Sequence, residues 1–136
     1  MKASSFFTKE LQAQILASVR EAELETSGEI RVHIESSLKG DVLDRAAWLF
    51  KKLGMHNTAE RNGVLFYLAV NDKKFAIIGD AGINAKVHAG FWDDVSELLK
   101  KDFKEGKFTE GLSEGILLAG KHLKIHFPYR MDDVNE

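Results

Sequence analysis

The stretch "NGVLFYLAVNDKKFAIIGDAGIN", residues 62–84, decides the fold. Two apolar runs flank a short polar turn at residues 71–74, which is typical of a β-hairpin. The first run, residues 63–70, is apolar at every position, so both faces of this strand are expected to lie under helices. The second run returns antiparallel and ends on Asp80, which places a carboxylate at the edge of the sheet.

The segment before this hairpin predicts a parallel partner strand. "EIRVHIESS", residues 29–37, alternates between polar and apolar side chains, which indicates a half-covered strand toward an edge of the sheet. Between the two strands, Asp41 is a good N-cap for an amphipathic helix, and Gly54 is expected to end that helix in the left-handed conformation. Strand, helix and strand at this spacing form a βαβ unit, so its two strands are predicted to be parallel.

Three further helices complete the prediction. The first is capped by Thr8 and runs to about residue 25, the second covers about 87–103, and the last begins at Thr109 and runs to about residue 125. The predicted fold class is α/β, a three-layer α/β/α sandwich in which helices flank a small mixed sheet. We expect one domain over residues 1–136, with a core at about 8–126 and a frayed tail at 128–136.

The composition of the chain excludes several classes of protein. Its 136 residues include 19 Lys and Arg against 21 Asp and Glu, and a formal net charge of −2 gives no reason to expect nucleic acid as a partner. The absence of cysteine excludes disulfides, thiolate metal sites and cysteine nucleophiles. Neither a signal peptide nor an apolar run of about 20 residues is present, so we expect a soluble, cytoplasmic protein with no direct membrane insertion.

The predicted topology gathers polar residues at one edge of the sheet. Glu29 begins the first strand, Asn62 precedes the second, and Asp80 follows the third, which runs the opposite way. Their oxygen atoms, with the backbone of residues 79–82, suit a hard divalent cation such as calcium or magnesium. Asp93 and Asp94, early in the following helix, are expected to complete this set of metal ligands.

Each of these residues also has a purely structural interpretation. Asp93 and Asp94 complement the positive end of a helix dipole, and Asp80 is equally suited to capping a helix or turning the chain. Asn62 is consistent with a simple turn into its strand, and Glu29 with a surface carboxylate paired to a lysine.

Other motifs point less clearly to chemistry. The segment from Asp80 resembles a calcium loop but lacks the EF-hand pattern. His122 and His126 have helical i, i+4 spacing, although their place near a helix end does not favour metal binding. Lysines at positions 100, 101 and 104 are expected to form a solvated helix face.

Four segments together resemble the TPM domain family over about residues 8–126. In order they are "SGEIRVHIESS", "DRAAWLFKKLGM", "RNGVLFYLAVNDKKFAIIGDAGIN" and "GKFTEGLSEGILLAGKHL". The resemblance implies an α/β/α sandwich and a divalent-metal site, with calcium reported in the family, at an acidic site beside the sheet. Plant members are described as acid phosphatases of photosystem II repair, whereas bacterial members are mostly uncharacterised. The family's polar edge positions correspond to Glu29, Asn62 and Asp80 here, and its following helix carries Asp93 and Asp94.

Two functions follow as hypotheses. The first is a domain that binds a divalent cation, calcium rather than magnesium, and interacts with another protein in a regulatory role. The second is a metal-assisted phosphatase of phosphate monoesters, in which Asp80, Asp93 or Asp94 acts as nucleophile or base and Arg61 or Arg31 holds the phosphate. A scaffold whose acidic edge only confers solubility is a third alternative. Many family members carry a signal peptide and a membrane span or glycine-rich tail, and the lack of both here favours a free-standing version.

Overall fold

The computed structural model describes residues 8–129, which form five helices and three strands. In chain order these elements are α1 (Lys9–Glu23), β1 (Glu29–Glu35), α2 (Val42–Lys52), β2 (Gly63–Ala69), β3 (Lys74–Gly79), α3 (Ala81–Asn84), α4 (Asp93–Lys104) and α5 (Phe108–His126).

The three strands form one mixed sheet in the order β1-β2-β3. β1 and β2 are parallel, with Glu29 opposite Gly63, and β2 and β3 are antiparallel, with Val64 opposite Gly79. Every residue of β2 is buried, as expected of a central strand that is apolar on both faces. The predicted βαβ unit and antiparallel hairpin are therefore both confirmed.

Helices cover both faces of this sheet. On one face, Val64, Phe66 and Leu68 of β2 belong to a core that also includes buried side chains of α1, α4 and α5. On the other face, Leu65, Tyr67 and Ala69 pack with the buried residues of α2, which are Ala46, Leu49 and Phe50. The alternation of side chains along β2 thus separates two cores, and the predicted three-layer α/β/α sandwich is confirmed.

The residues predicted to begin α1 and α2 and to end α2 take those roles in the structure. The Thr8 hydroxyl accepts a hydrogen bond from the amide of Leu11 at 3.3 Å. The Asp41 carboxylate accepts from two amides in the first turn of α2, each at 3.0 Å. Beyond the other end of α2, Gly54 has a φ of +71°, the left-handed conformation that the sequence predicted.

The prediction was wrong about where the next two helices begin. The helix expected from about residue 87 begins at Asp93, because Gly90 has a φ of +86° and turns the chain before it. The short helix α3, which directly follows Asp80, was not predicted. The last helix begins at Phe108, so Thr109 lies inside its first turn and does not cap it.

The chain after α5 returns to the start of β1. Pro128 forms an isolated antiparallel bridge with Thr26, and the carbonyl of Phe127 accepts from the amide of Ser27 at 3.0 Å. Pro128, which the sequence analysis placed in a frayed tail, is therefore tied to the fold, whereas residues 130–136 lie outside the described part of the chain. None of the helices within residues 8–129 combines the length and the apolar character that crossing a bilayer requires.

Helices α1 and α5 approach each other closely at Gly120. A Cβ atom added to Gly120 would lie 2.8 Å from the Cβ of Ala22 and 3.0 Å from its Cα. Both residues are buried, so neither helix has free space at this crossing into which it can retreat. A glycine that would ordinarily weaken a helix is required here by packing.

We predict that Gly120→Ala lowers the stability of the protein. The overlap with Ala22 is expected to cost about 1–3 kcal/mol, which exceeds the gain of about 1 kcal/mol that alanine brings to a helix interior. Thermal or urea unfolding measures the difference. Glu114→Ala, on the exposed side of the same helix, is the control and should change stability little. An increase in stability for Gly120→Ala would contradict the close packing of α1 on α5.

A network of polar side chains joins the last residue of β1 to α2. The Glu35 carboxylate accepts two hydrogen bonds from the Arg45 guanidinium and a third from the hydroxyl of Tyr67. The Nε2 atom of His33 lies 3.3 Å from the same carboxylate. The hydrogen bond from Arg45, opposed by burial and reinforced by Tyr67 and His33, lowers the pKa of Glu35 to about 2.

The stabilising contribution of Glu35 should therefore depend on pH. Because its pKa is lowered from 4.5 in the folded state, the contribution is present above about pH 4.5 and is lost as the pH falls toward 2. We expect the difference in unfolding free energy between wild type and Glu35→Gln to shrink by about 1–3 kcal/mol over that range. Urea unfolding across the range measures it. A difference that stays constant down to about pH 2 would contradict the assignment.

Candidate functional site

The starts of β1 and β2 and the end of β3 meet at one edge of the sheet, which we call the polar rim. Glu29 is paired with Gly63, whose carbonyl also accepts a hydrogen bond from the amide of Asp80 at 3.0 Å. Glu29, Asn62 and Asp80 therefore lie on the same rim, as the topology predicted. Glu29 and Asp80 flank β2, so two strand spacings place their backbones roughly 10 Å apart.

Asp80 is a buried carboxylate held in a fixed position on this rim. It accepts hydrogen bonds from Nε and Nη2 of Arg61 at 2.7 and 2.9 Å, and from the amide of Ala81 at 2.7 Å. Only 6% of the Asp80 side chain is exposed, compared with 51% of the Arg61 side chain. The anion is thus buried and anchored by the backbone, while its counter-ion reaches it from solvent.

The surroundings of Asp80 keep it ionised. Burial alone would raise the pKa of this carboxyl group, but the hydrogen bonds from Arg61 and Ala81 outweigh burial, and the net effect is a lowered pKa. Arg61 and His56 add favourable charge interactions. The reciprocal effect raises the pKa of the Arg61 guanidinium. Near neutral pH, Asp80 is therefore a buried negative charge that the Arg61 guanidinium neutralises.

A close contact between two loops positions this ion pair. The amide of Gly82 in α3 donates to the carbonyl of Arg61 at 2.8 Å. A Cβ atom added to Gly82 would lie only 2.0 Å from the carbonyl oxygen of Glu60 and 2.6 Å from that of Arg61. Arg61 itself has a φ of +51°, a conformation that non-glycine residues adopt rarely and often at functional sites.

A second group of oxygen-bearing side chains lies on the polar rim, where the segments before β1 and β2 meet. Asn62 is 2% exposed, and its Nδ2 atom lies 3.2 Å from the hydroxyl of Ser27 and 3.4 Å from the carboxylate of Glu60. The Ser27 hydroxyl also donates to Glu60 at 2.9 Å. These contacts join the segment before β1 to the segment before β2 through the carboxylate of Glu60.

Glu29 has a different partner from the one expected. Its carboxylate lies 3.0 Å from Nη2 of Arg31, so an arginine two residues along the same strand, and not a lysine, is its counter-ion. Arg31 also donates to the carbonyl of Leu53 at the end of α2, at 3.4 Å. Glu29 therefore belongs to the polar rim but not to the group around Asp80.

Asp93 and Asp94 lie in the first turn of α4, as predicted. Asp94 accepts from the amide of Val95 at 2.8 Å, and its other oxygen lies 2.6 Å from Nε2 of His122 on α5. Asp93 is exposed. Over residues 8–129, no three side chains of histidine, aspartate and glutamate are arranged so that they could hold a metal ion. The structure thus places the predicted ligands along the polar rim and on α4 without assembling them into one cage.

Four residues of these groups were not predicted to take part in them, namely Ser27, His56, Glu60 and His122, although His122 was noted for its spacing with His126. Ser27 begins the segment "SGEIRVHIESS" and Glu60 directly precedes the segment "RNGVLFYLAV", so the positions of both residues were a usable signal. His56 gave no signal in the sequence. Its Nδ1 atom is buried and has no hydrogen-bond partner within residues 8–129, and its charge contributes to lowering the pKa of Asp80.

Comparison with known proteins identifies the family and the fold of this chain. The sequence model described as the TPM domain matches residues 1–122. The structure is similar to the NMR structure of the BA42 protein from the psychrophilic bacterium Bizionia argentinensis, with 47% identity, a TM-score of 0.91, and coverage of 97% of this chain and 91% of that one. No curated protein matches this chain significantly.

Two more distant structures share the fold. The N-terminal domain of a protein from P. gingivalis has 19% identity and a TM-score of 0.75, with coverage of 94% of this chain and 84% of that chain. The N-terminal domain of the cg2496 protein from Corynebacterium glutamicum has 14% identity and a TM-score of 0.67, with coverage of 84% and 72%. These two similarities concern the fold alone, whereas the family model that matches residues 1–122 shows that the chain belongs to the TPM domain family.

Proposed function

We propose that the polar rim binds a divalent cation, calcium in preference to magnesium, and that the domain uses this binding in a regulatory interaction with another protein. The observation that carries the proposal is the Asp80–Arg61 pair, in which a buried and anchored carboxylate is neutralised by a half-exposed guanidinium. An arginine in that position can move into solvent with its own charge still hydrated, provided that another cation takes its place beside the buried carboxylate. A cation that reaches Asp80 would take its place.

The neighbouring groups supply oxygen atoms of the kind that calcium accepts. Glu60 and Ser27 surround the amide of Asn62, and rotating that amide by half a turn presents its oxygen in place of its nitrogen. The unpartnered Nδ1 atom of His56 is suited to a hydrogen bond with a water molecule in the same region. Calcium tolerates irregular sets of six to eight oxygen ligands that include water, whereas magnesium requires a regular octahedron.

Cation binding would also affect the loops around Arg61. This residue is held in its left-handed conformation by the contact of its carbonyl with Gly82 and by the bond of its side chain to Asp80. If a cation replaces the guanidinium, one of these two restraints is lost and Arg61 becomes available to an acidic partner. We infer that a partner protein would recognise this change.

Calcium titration tests the proposal, by calorimetry and by thermal unfolding. Calcium at about 100 times its dissociation constant should stabilise the fold by about 2.7 kcal/mol, which raises the melting temperature by roughly 5–10 °C. Asp80→Asn should weaken binding by about tenfold or more because it removes the anchored charge. Arg61→Gln should strengthen binding because it removes the competing cation.

Asp44→Asn, an exposed carboxylate in the first turn of α2, is the matched control and should leave calcium affinity unchanged. If Asp44→Asn weakened calcium binding as much as Asp80→Asn, the weakening would come from the change in overall charge and not from loss of a specific site. An unchanged melting temperature of the wild type at millimolar calcium would remove the proposal.

A phosphatase is the second candidate, and the same ion pair is the observation that favours it. Arg61 carries a fork of donors that fits a phosphate, and Asp80 beside it is an ionised carboxylate suited to act as base or nucleophile. A bound divalent cation would polarise a phosphoryl oxygen. Asp93 and Asp94 have a weaker claim to this role, because Asp94 is engaged by His122.

Hydrolysis of a generic phosphate monoester, para-nitrophenyl phosphate, tests this second candidate. We expect metal-dependent turnover by the wild type, with loss of about 100-fold or more in Asp80→Asn, as for removal of a general base. Arg61→Gln should raise the Michaelis constant because it removes a phosphate contact. Equal background rates for the wild type and Asp80→Asn would eliminate the phosphatase and leave cation binding untouched.

A further inference from the structure

A cavity of about 690 Å³ lies at the end of the sheet opposite to the polar rim, where the β2–β3 hairpin meets α4 and the start of α5. Leu68 of β2 and Val70, just after that strand, line it on one side, and the rings of Phe75, Phe103 and Phe108 line it from the surrounding elements. The Phe103 ring packs edge-on against Phe75 at 5.6 Å and stacks on Phe108 at 5.2 Å, between ring centroids. This volume lies within the range of about 300–1,000 Å³ that is usual for small-molecule sites.

Three lysines surround this apolar cavity. Lys100 and Lys104 are one helical turn apart on α4, and Lys73 joins them from the hairpin turn, where its φ is +53°. All three are exposed, and none of them forms an ion pair with another residue in the range 8–129. Like charges one helical turn apart repel each other, so this arrangement costs stability unless an anion relieves it.

Three carboxylates close in sequence to these lysines do not pair with them. Asp72 accepts a hydrogen bond from the amide of Leu38 at 2.6 Å, and Glu105 lies 3.5 Å from the ammonium of Lys107. Asp102 is buried on the side of α4 that faces α5. Three positive charges therefore line the cavity, and no carboxylate within residues 8–129 forms an ion pair with them, in a protein whose formal net charge is −2.

We propose that this cavity binds a small amphipathic carboxylate, with an aliphatic or aromatic body of about ten carbons and a single anionic group. The body would lose its contact with water against the phenylalanine rings, and the carboxylate would lie among the three ammonium groups. The inference does not depend on cation binding, because the two sites are at opposite ends of the strands. Lys100 and Lys104 were expected to lie on a solvated helix face, and both are exposed; in this proposal they also contact the bound carboxylate.

Decanoate, below its micelle concentration, is the probe for this site. Calorimetry should show saturable binding, and the amide NMR signals that shift should be those of Phe75, Phe103 and their neighbours. Decyltrimethylammonium has the same chain with the opposite charge, and acetate has the carboxylate without the chain, so neither should bind at the same concentration. Added salt should weaken decanoate binding because the lysines are exposed.

Paired substitutions separate the local charge from the overall charge. Lys100→Gln with Lys104→Gln should weaken decanoate binding by about tenfold or more. Lys51→Gln with Lys121→Gln removes the same charge from exposed positions on α2 and α5 and should change the affinity by less than about twofold. The amide spectrum of each variant establishes that it is folded.

Four results would overturn the proposal. They are the absence of saturable decanoate binding, equal binding of decyltrimethylammonium or acetate, salt-independent affinity, and equal weakening by the two lysine pairs. The salt dependence is measured on the wild-type protein, so the test does not rely on a variant that folds.

Discussion

The antiparallel return of β3 along β2 is the constraint on which the rest of this structure depends. The hairpin pairs Val64 with Gly79, so the chain that leaves β2 at one end of the sheet is brought back to the end where β2 began. Asp80 can therefore bond through its amide to Gly63 and through its carboxylate to Arg61. A longer or shorter hairpin would move the carboxylate away from the guanidinium and leave a buried charge without a partner.

The same hairpin gives the two ends of the sheet different chemistry. At the polar rim, a buried carboxylate is fixed by backbone and glycine contacts, and the positive charge beside it is exposed. At the opposite end, the hairpin turn contributes Lys73 to three exposed positive charges above an apolar cavity. The polar rim thus holds a buried anion, and the opposite end of the sheet holds three exposed cations. Seven-residue strands separate the two sites.

Much of the fold could be predicted from local sequence patterns, because each of those patterns is compatible with only one structural role. The uniformly apolar β2 had to be central, and the caps Thr8 and Asp41 had clear hydrogen-bonding roles at helix starts. The start of α4 was predicted too early, because the sequence alone did not show that Gly90 takes a positive φ and turns the chain before the helix. The glycine at position 120 gave no sign that it lies against α1, because that contact joins residues far apart in sequence.

The candidate site was predictable only as far as topology determines it. Topology placed Glu29, Asn62 and Asp80 on one rim, and the structure agrees. It could not show that Asp80 would bond to Arg61, since that choice depends on the left-handed backbone at residue 61 and on side-chain geometry. The central question about the molecule is whether a cation can displace the Arg61 guanidinium from Asp80.

The side-chain Nε–H signal of Arg61, followed by NMR during a calcium titration, answers that question most directly. If calcium displaces the guanidinium from Asp80, this signal should move saturably toward the position of a solvent-exposed arginine, with the same dissociation constant as the backbone amides of the polar rim. If those amides saturate while the Arg61 signal stays unchanged, or if no signal saturates, the exchange of arginine for calcium does not occur.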